Sequence, residues 1–150
     1  MTIYTLGYSE WKIEDVEALL DRLDAVLVDV RMVPWSRLAP IWNGAALHER
    51  LGDRYVWLRE FGNRNYKGTF EQIEIADFPE GEKRLRELIG AGSITGKSGR
   101  KVILLCGCPD VNTCHRKFLA ERLAQMWKEK IVHMTHPDNG VNSNHPMLFY

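Results

Sequence analysis

Residues 106–116 read CGCPDVNTCHR and hold all three cysteines of the 150-residue chain, with a histidine and an arginine beside the last of them. If Cys114-His115-Arg116 opens a helix, the free N–H groups and partial positive charge of its first turn favour an anion. The same field, with Arg116 alongside, lowers a cysteine pKa. Cys114 is therefore read as a nucleophile or anion-site former, His115 as a group for proton transfer and Arg116 as an anion ligand. A buried cysteine with a capping histidine satisfies the same pattern. Cys106, Cys108, Cys114 and His115 are also soft metal ligands, but closed zinc sites use two ligand pairs well apart, so no metal is expected.

Asp29 stands inside AVLVDVR, at the end of an apolar run. A buried carboxylate is costly to desolvate unless it is paired or hydrogen-bonded. Arg31, two positions on, faces the same side of a strand and is a candidate partner. Asp29 is read as a general base or orienter, or as an anchor for the backbone of the proline-rich loop that follows. Arg31 and Arg37 are candidate anion ligands, because guanidinium forks match phosphate. Trp35 and Trp42 flank Arg37. Tyr8 is a candidate for proton transfer, with Ser9 beside it as a ligand-binding or helix-capping residue.

These residues need elements to position them. Ile3–Leu6, Ala25–Val30, Tyr55–Leu58, Lys101–Cys106 and Ile131–Met134 are strand-length apolar runs. Between them, Ile13, Val16, Leu19, Leu20 and Leu23 recur at helical spacing, Ala45–Leu51 forms a short helix, and Pro79 begins a helix carrying Leu85, Leu88 and Ile89. Cys114–Lys128 is the last, with Phe118, Leu119, Leu123 and Trp127 on one side. Strands alternating with helices imply crossover connections. The expected fold is α/β: a single three-layer domain with a mostly parallel five-stranded sheet and helices on both faces, Rossmann-like. It spans residues 1–136, with 137–150 a C-terminal tail of the same domain. Ligands of such sheets bind beyond the carboxyl ends of the strands. Nearly every unusual polar residue falls there, His133 and His136 included, though His133 reads as a satisfied core or edge histidine.

Composition narrows the function. Hydrophobic residues make up 45% and charged residues 27%, which excludes a disordered or low-complexity chain. Twenty basic and twenty acidic residues cancel, against a protein whose main task is coating nucleic acid or anionic lipid. No apolar run approaches a membrane span. MTIYTLGYSEWK reads as a first strand, not a secretory signal, and the clustered thiols fit a cytoplasmic protein. GAGSITGKSGR lacks the spacing of a phosphate-binding P-loop and precedes a strand.

The ordered set TLGYS, LVDVRMVPWSR, a Tyr-plus-apolar strand, LLCGC, CHR and a final V-x-H-M resembles the prokaryotic family known as domain of unknown function 488, over about residues 3–136. The resemblance implies an α/β fold and places the shared motif residues on Tyr8, Ser9, Asp29, Arg31, Pro34, Arg37, Cys106, Cys114, His115 and Arg116. A weaker likeness is to the rhodanese sulfurtransferases, which also carry Asp-Val-Arg at a strand end and an active cysteine at the end of a later strand. That likeness implies Cys106 as sulfur carrier and Arg116 at the helix start.

The expected function is a small cytoplasmic enzyme, a transferase or hydrolase, acting on an anionic phosphate- or nucleotide-like substrate at the carboxyl edge of the sheet. Its catalytic residues are Asp29, Cys114, His115 and Tyr8, and its ligand-binding residues Ser9, Arg31, Arg37, Cys106 and Arg116, with no cofactor. The alternatives are sulfur transfer through Cys106, or a non-catalytic ligand or nucleic-acid binding module. The last draws on Arg59, Arg64, Tyr66, Lys67 and Phe70, where basic and aromatic residues interleave.

Overall fold

The apolar runs become strands β1 (Thr2–Gly7), β2 (Ala25–Asp29), β3 (Tyr55–Trp57), β4 (Lys101–Cys106) and β5 (Lys130–Met134). The computed structural model describes residues 2–67, 72–90, 101–108 and 110–135. His136, Phe70, most of the glycine-rich segment before β4 and the tail 137–150 lie outside the described residues. The strands pair in the order β3-β2-β4-β1-β5, and every pairing is parallel. All five residues of β2 and the last five of β4 are buried, as central strands covered on both faces must be.

Helices α1 (Ile13–Leu23) and α2 (Gly44–Leu51) cover one face; α3 (Phe78–Gly90) and α4 (His115–Trp127) cover the other. Leu19, Leu20, Leu47 and Leu51 pack with Tyr4, Leu27 and Ile103 on the first side. Phe78, Leu85, Leu119 and Leu123 pack with Ile3, Val28 and Leu104 on the second. The fold is thus the expected three-layer α/β domain, its strands alternating their side chains between two cores.

Two local expectations are corrected. Ser9 does not cap α1; it lies in a single 3₁₀ turn, Tyr8–Glu10, and Lys12 occupies the N-cap without a side-chain bond. Phe118 is exposed, because the buried side of α4 runs through His115, Arg116, Leu119, Ala120, Leu123 and Ala124. Polar residues in the first turn turn inward, which an apolar-stripe reading does not anticipate.

The sheet has a crossing of directions where chemistry can sit. β1 and β4 are neighbours with Gly7 opposite Cys106, yet β1 leads to α1 on one face and β4 to α4 on the other. Such a reversal of direction opens a crevice beyond the carboxyl ends of the strands. Asp29, opposite Leu105, brings the end of β2 to the same edge.

Candidate functional site

Asp29 is fully buried and saturated with donors. Arg31 Nε donates to Oδ1 at 2.8 Å, Arg31 Nη2 to Oδ2 at 2.6 Å, and the Arg31 backbone N–H to Oδ1 at 3.1 Å. Tyr55, from the adjacent strand β3, donates its hydroxyl to Oδ2 at 2.6 Å. This is the full set of partners that a carboxylate needs to survive inside a protein. Burial first, and then the Asp29 charge, push the Tyr55 hydroxyl well above its ordinary pKa. For Arg31, burial opposes the charged form, and the paired carboxylate more than reverses it, so its pKa is raised.

Arg31 is held from other sides too. Nη2 donates to the Trp42 carbonyl at 2.6 Å, and the guanidinium carbon stands 5.3 Å from the centre of the Tyr8 ring. Tyr8 in turn stacks on Trp42, centroids 5.0 Å apart. The Asp29–Arg31 pair thereby fixes the loop after β2 and the turn after β1 against each other.

His115, the first residue of α4, is buried and spans two elements. Its Nε2 lies 2.6 Å from the Val30 carbonyl. A carbonyl only accepts, so Nε2 carries the hydrogen, and in the neutral ring Nδ1 presents its lone pair. Nδ1 faces Cys106 Sγ at 3.9 Å. Cys106 Sγ is 4.0 Å from Cys108 Sγ, and the ligand atoms of Cys106, Cys114 and His115 all lie within 4.8 Å of one another. All three cysteines are free. Thiol donors from Cys108 first, then Cys114, hold the Cys106 thiol well below its ordinary pKa, with the Gly107 and Cys108 backbone N–H groups adding to them against burial. The same partnership pushes Cys108 upward.

Arg116 is buried, at 3% exposure, and carries no carboxylate partner among the described residues. Nη1 donates to the Cys108 carbonyl at 2.7 Å, and Nε is buried without a hydrogen bond. Gly7 makes room for this: a Cβ there would collide with the Cys108 carbonyl and press on the Arg116 guanidinium.

The cleft beyond the strand ends has a volume of about 660 Å³, within the range of roughly 300–1,000 Å³ usual for small-ligand sites. Of the sequence-predicted residues, Tyr8, Arg31, Cys106 and His115 line it. Asp29, Cys114 and Arg116 lie behind that lining, in contact with it through Arg31, Cys106 and Cys108. Ser9 and Arg37 are exposed and do not border the cleft. Cys108, Trp35, Tyr66 and Lys67 border it as well, whereas Trp42 and Tyr55 act from behind as supports. Arg59 and Arg64 do not line it, and His133 is engaged elsewhere, its Nδ1 2.6 Å from Thr5 Oγ1. Tyr55 was findable in principle, since a buried aspartate at a strand end calls for a donor on the neighbouring strand. Trp42 and Lys67 are singled out by the sequence, as a neighbour of Arg37 and as a member of the interleaved basic and aromatic set, but not as a support of Arg31 or a wall of this cleft.

A family model matches residues 12–123, most of the chain. The chain belongs to the family described as domain of unknown function DUF488. Asp29, Arg31, Arg37, Cys106 and the Cys-His-Arg triplet fall within the matched span, and Tyr8 and Ser9 precede it. No curated protein and no solved structure matches the chain, so the likeness to rhodaneses is not shown. No helix among the described residues of this DUF488 protein is long and apolar enough to cross a membrane.

Proposed function

We propose that this DUF488 protein is a thiol-dependent transferase or hydrolase acting on a small, nucleotide-like anion, with Cys106 as the nucleophile. The observation that carries this reading is the placement of Cys106 Sγ: it borders the cleft at the switch point and faces His115 Nδ1 at 3.9 Å. A nucleophile next to a base whose other nitrogen is anchored is the arrangement that covalent catalysis uses. His115 Nδ1 takes the thiol proton. Cys106 Sγ bonds to the electrophilic centre, the bond to the leaving group breaks with its electron pair, and the imidazolium returns the proton to it.

The substrate class follows from the lining. Lys67 borders the cleft beside Arg31, whose charge Asp29 balances from behind, and no carboxylate borders it among the described residues. Arg116 adds an uncompensated positive charge behind Cys108. Trp35 and Tyr66 supply aromatic faces for a planar ring. Asp29 is a positioning residue in this reading, because its oxygens are occupied by Arg31 and Tyr55. Cys114, without access to the cleft, shapes the thiol cluster.

The test is competitive labelling of the reduced, chelator-treated protein with limiting iodoacetamide, followed by peptide mapping. Cys106 is expected to label before Cys108 and Cys114, and a nucleoside monophosphate to protect it in a saturable way. Labelling of Cys106 no faster than Cys108, with no protection by any anion, overturns the reading. A thiosulfate arm separates the sulfur-transfer alternative, in which the thiolate takes the outer sulfur and releases sulfite. That alternative predicts a persulfide on Cys106.

A further inference from the structure

The cluster at the mouth of β4 offers a second chemistry. We infer that Cys106, Cys108, Cys114 and His115 bind a single zinc-class cation, whose capture silences the cleft thiol. Three ligand atoms, Cys106 Sγ, Cys114 Sγ and His115 Nδ1, already lie within 4.8 Å of one another on buried residues. Cys108 is the nearest fourth ligand, its sulfur 4.0 Å from Cys106 Sγ; it stands outside the compact set of three and joins it by rotation of its side chain.

The distances suit the ion. Zn–S bonds of about 2.3 Å and Zn–N bonds of about 2.0–2.1 Å in a tetrahedron imply edges of roughly 3.8 Å between sulfurs and roughly 3.6 Å from sulfur to nitrogen. The observed 4.0 and 3.9 Å edges are close to these values, and the remaining separations among Cys106, Cys114 and His115, all within 4.8 Å, shorten as the ion draws its ligands in. His115 also carries the outer support that zinc-bound histidines have: its Nε2–H is committed to the Val30 carbonyl, which fixes the ring and leaves Nδ1 to the metal. Thiolate-rich sets select soft and borderline ions over magnesium or calcium. The spacing C-x-C…C-H matches no familiar linear zinc pattern because its two halves come from a strand end and a helix start that only the sheet brings together.

A cation on Cys106 Sγ occupies the electron pair that attack on a substrate requires. This regulatory consequence rests on the nucleophile reading above, whereas the binding itself does not.

The experiment titrates the reduced, metal-free full chain with Zn²⁺ and, separately, Co²⁺. One equivalent of Zn²⁺ is expected to remain bound through gel filtration, and Co²⁺ to give thiolate-to-cobalt charge transfer with the intense visible bands of a tetrahedral site, both erased by Zn²⁺. Cys114→Ser should weaken Zn²⁺ binding by at least the ~100-fold that losing even an outer-shell partner can cost. His115→Gln provides a second variant if the serine protein does not fold. No retained Zn²⁺ and no charge-transfer band in the wild-type protein overturn the inference, as does unchanged affinity in both variants. Iodoacetamide labelling separates the two proposals. Fast labelling of Cys106 without metal binding defeats the metal site alone. Metal binding with a sluggish Cys106 in the stripped protein defeats the nucleophile alone.

Discussion

Tyr55 donates its hydroxyl to Asp29 Oδ2 at 2.6 Å across the β2–β3 pair, closing the last side of a carboxylate that Arg31 holds from the front. The bond ties the shortest strand of the sheet to the residue that positions the cleft. Tyr55→Phe removes a buried bond to a charged acceptor, with an expected cost of about 1.5–3 kcal/mol. The pH dependence has a definite sign. Burial and the Asp29 charge raise the folded-state pKa of Tyr55, so the folded protein keeps this proton where the unfolded chain gives it up. The stabilisation is complete below about pH 10, the ordinary tyrosine value, and is lost as the pH rises above it. Urea midpoints taken on both sides of that value should fall steeply for the wild-type protein and less for Tyr55→Phe. Equal slopes would disprove the coupling.

Arg31 makes side-chain bonds to both Asp29 oxygens and to the Trp42 carbonyl, and Tyr8 lies beneath it. Arg31→Met leaves the buried Asp29 charge with no cationic partner, held only by the Tyr55 hydroxyl and the residue-31 backbone N–H, a change expected to cost about 3–5 kcal/mol. Arg31→Lys should recover only part of this, because a single ammonium cannot reproduce the fork. Chemical denaturation of the two variants measures the difference. A lysine variant as stable as wild type would mean that the planar geometry contributes nothing.

The architecture was legible because its signals are local and repeated: AVLVD and KVILLC are too apolar and too short to be anything but covered strands. The strand order was not, since nothing in those runs states that β4 inserts between β1 and β2. The site was legible as a set of residue types and less so as a geometry. Asp29 and Arg31 announced their pairing through the cost of burying either alone. Arg37, in the same motif, is exposed and does not border the cleft, and bends in the loop after β2 separate it from Arg31. Cys114 sits where a helix field acts, yet Cys106 lines the cleft and Cys114 does not, a distinction that depends on how the end of β4 and the start of α4 pack together.

Gly7 is needed for close approach, since its backbone φ is not in the left-handed region. Gly7→Ala places a methyl group against the Cys108 carbonyl, a backbone atom that moves only with its loop. Overpacking of this kind costs about 1–3 kcal/mol. Displacement of Cys108 should also break its bond from Arg116, so the alkylation order of the cysteines is expected to change along with the melting temperature. A change in melting temperature alone would mean that the loop and the thiols are uncoupled.

On the opposite core, Glu82 accepts from Arg86 Nε at 2.6 Å and from Trp127 Nε1 at 2.8 Å, joining α3 to the end of α4. Arg86, more than Trp127, lowers its pKa below the ordinary carboxylate value. The contribution is therefore present above about pH 4.3 and is lost as the pH falls through the lower, folded-state value. Glu82→Gln should flatten this acid limb of the stability profile. An unchanged acid midpoint would show that the pair is screened out by solvent.

His115 performs two separable tasks with its two nitrogens, and two substitutions divide them. Nε2 ties the start of α4 to the Val30 carbonyl, and Nδ1 faces Cys106. In His115→Gln the longer amide can place an N–H near the Nε2 position, which keeps the tie and removes the base. Its stability should stay within about 1 kcal/mol of wild type, while alkylation of Cys106 in the metal-free protein slows by about 10²-fold, the lower end of what a positioned base contributes. In His115→Asn the shorter amide reaches toward Cys106 and abandons Val30, leaving a buried carbonyl unpaired at a cost of about 1–3 kcal/mol. The asparagine protein should thus be the less stable of the two. Melting curves and labelling rates measured side by side decide the matter. Equal melting temperatures would remove the Val30 tie from the account. A glutamine variant that labels as fast as wild type would remove His115 from the chemistry and leave it as a helix anchor.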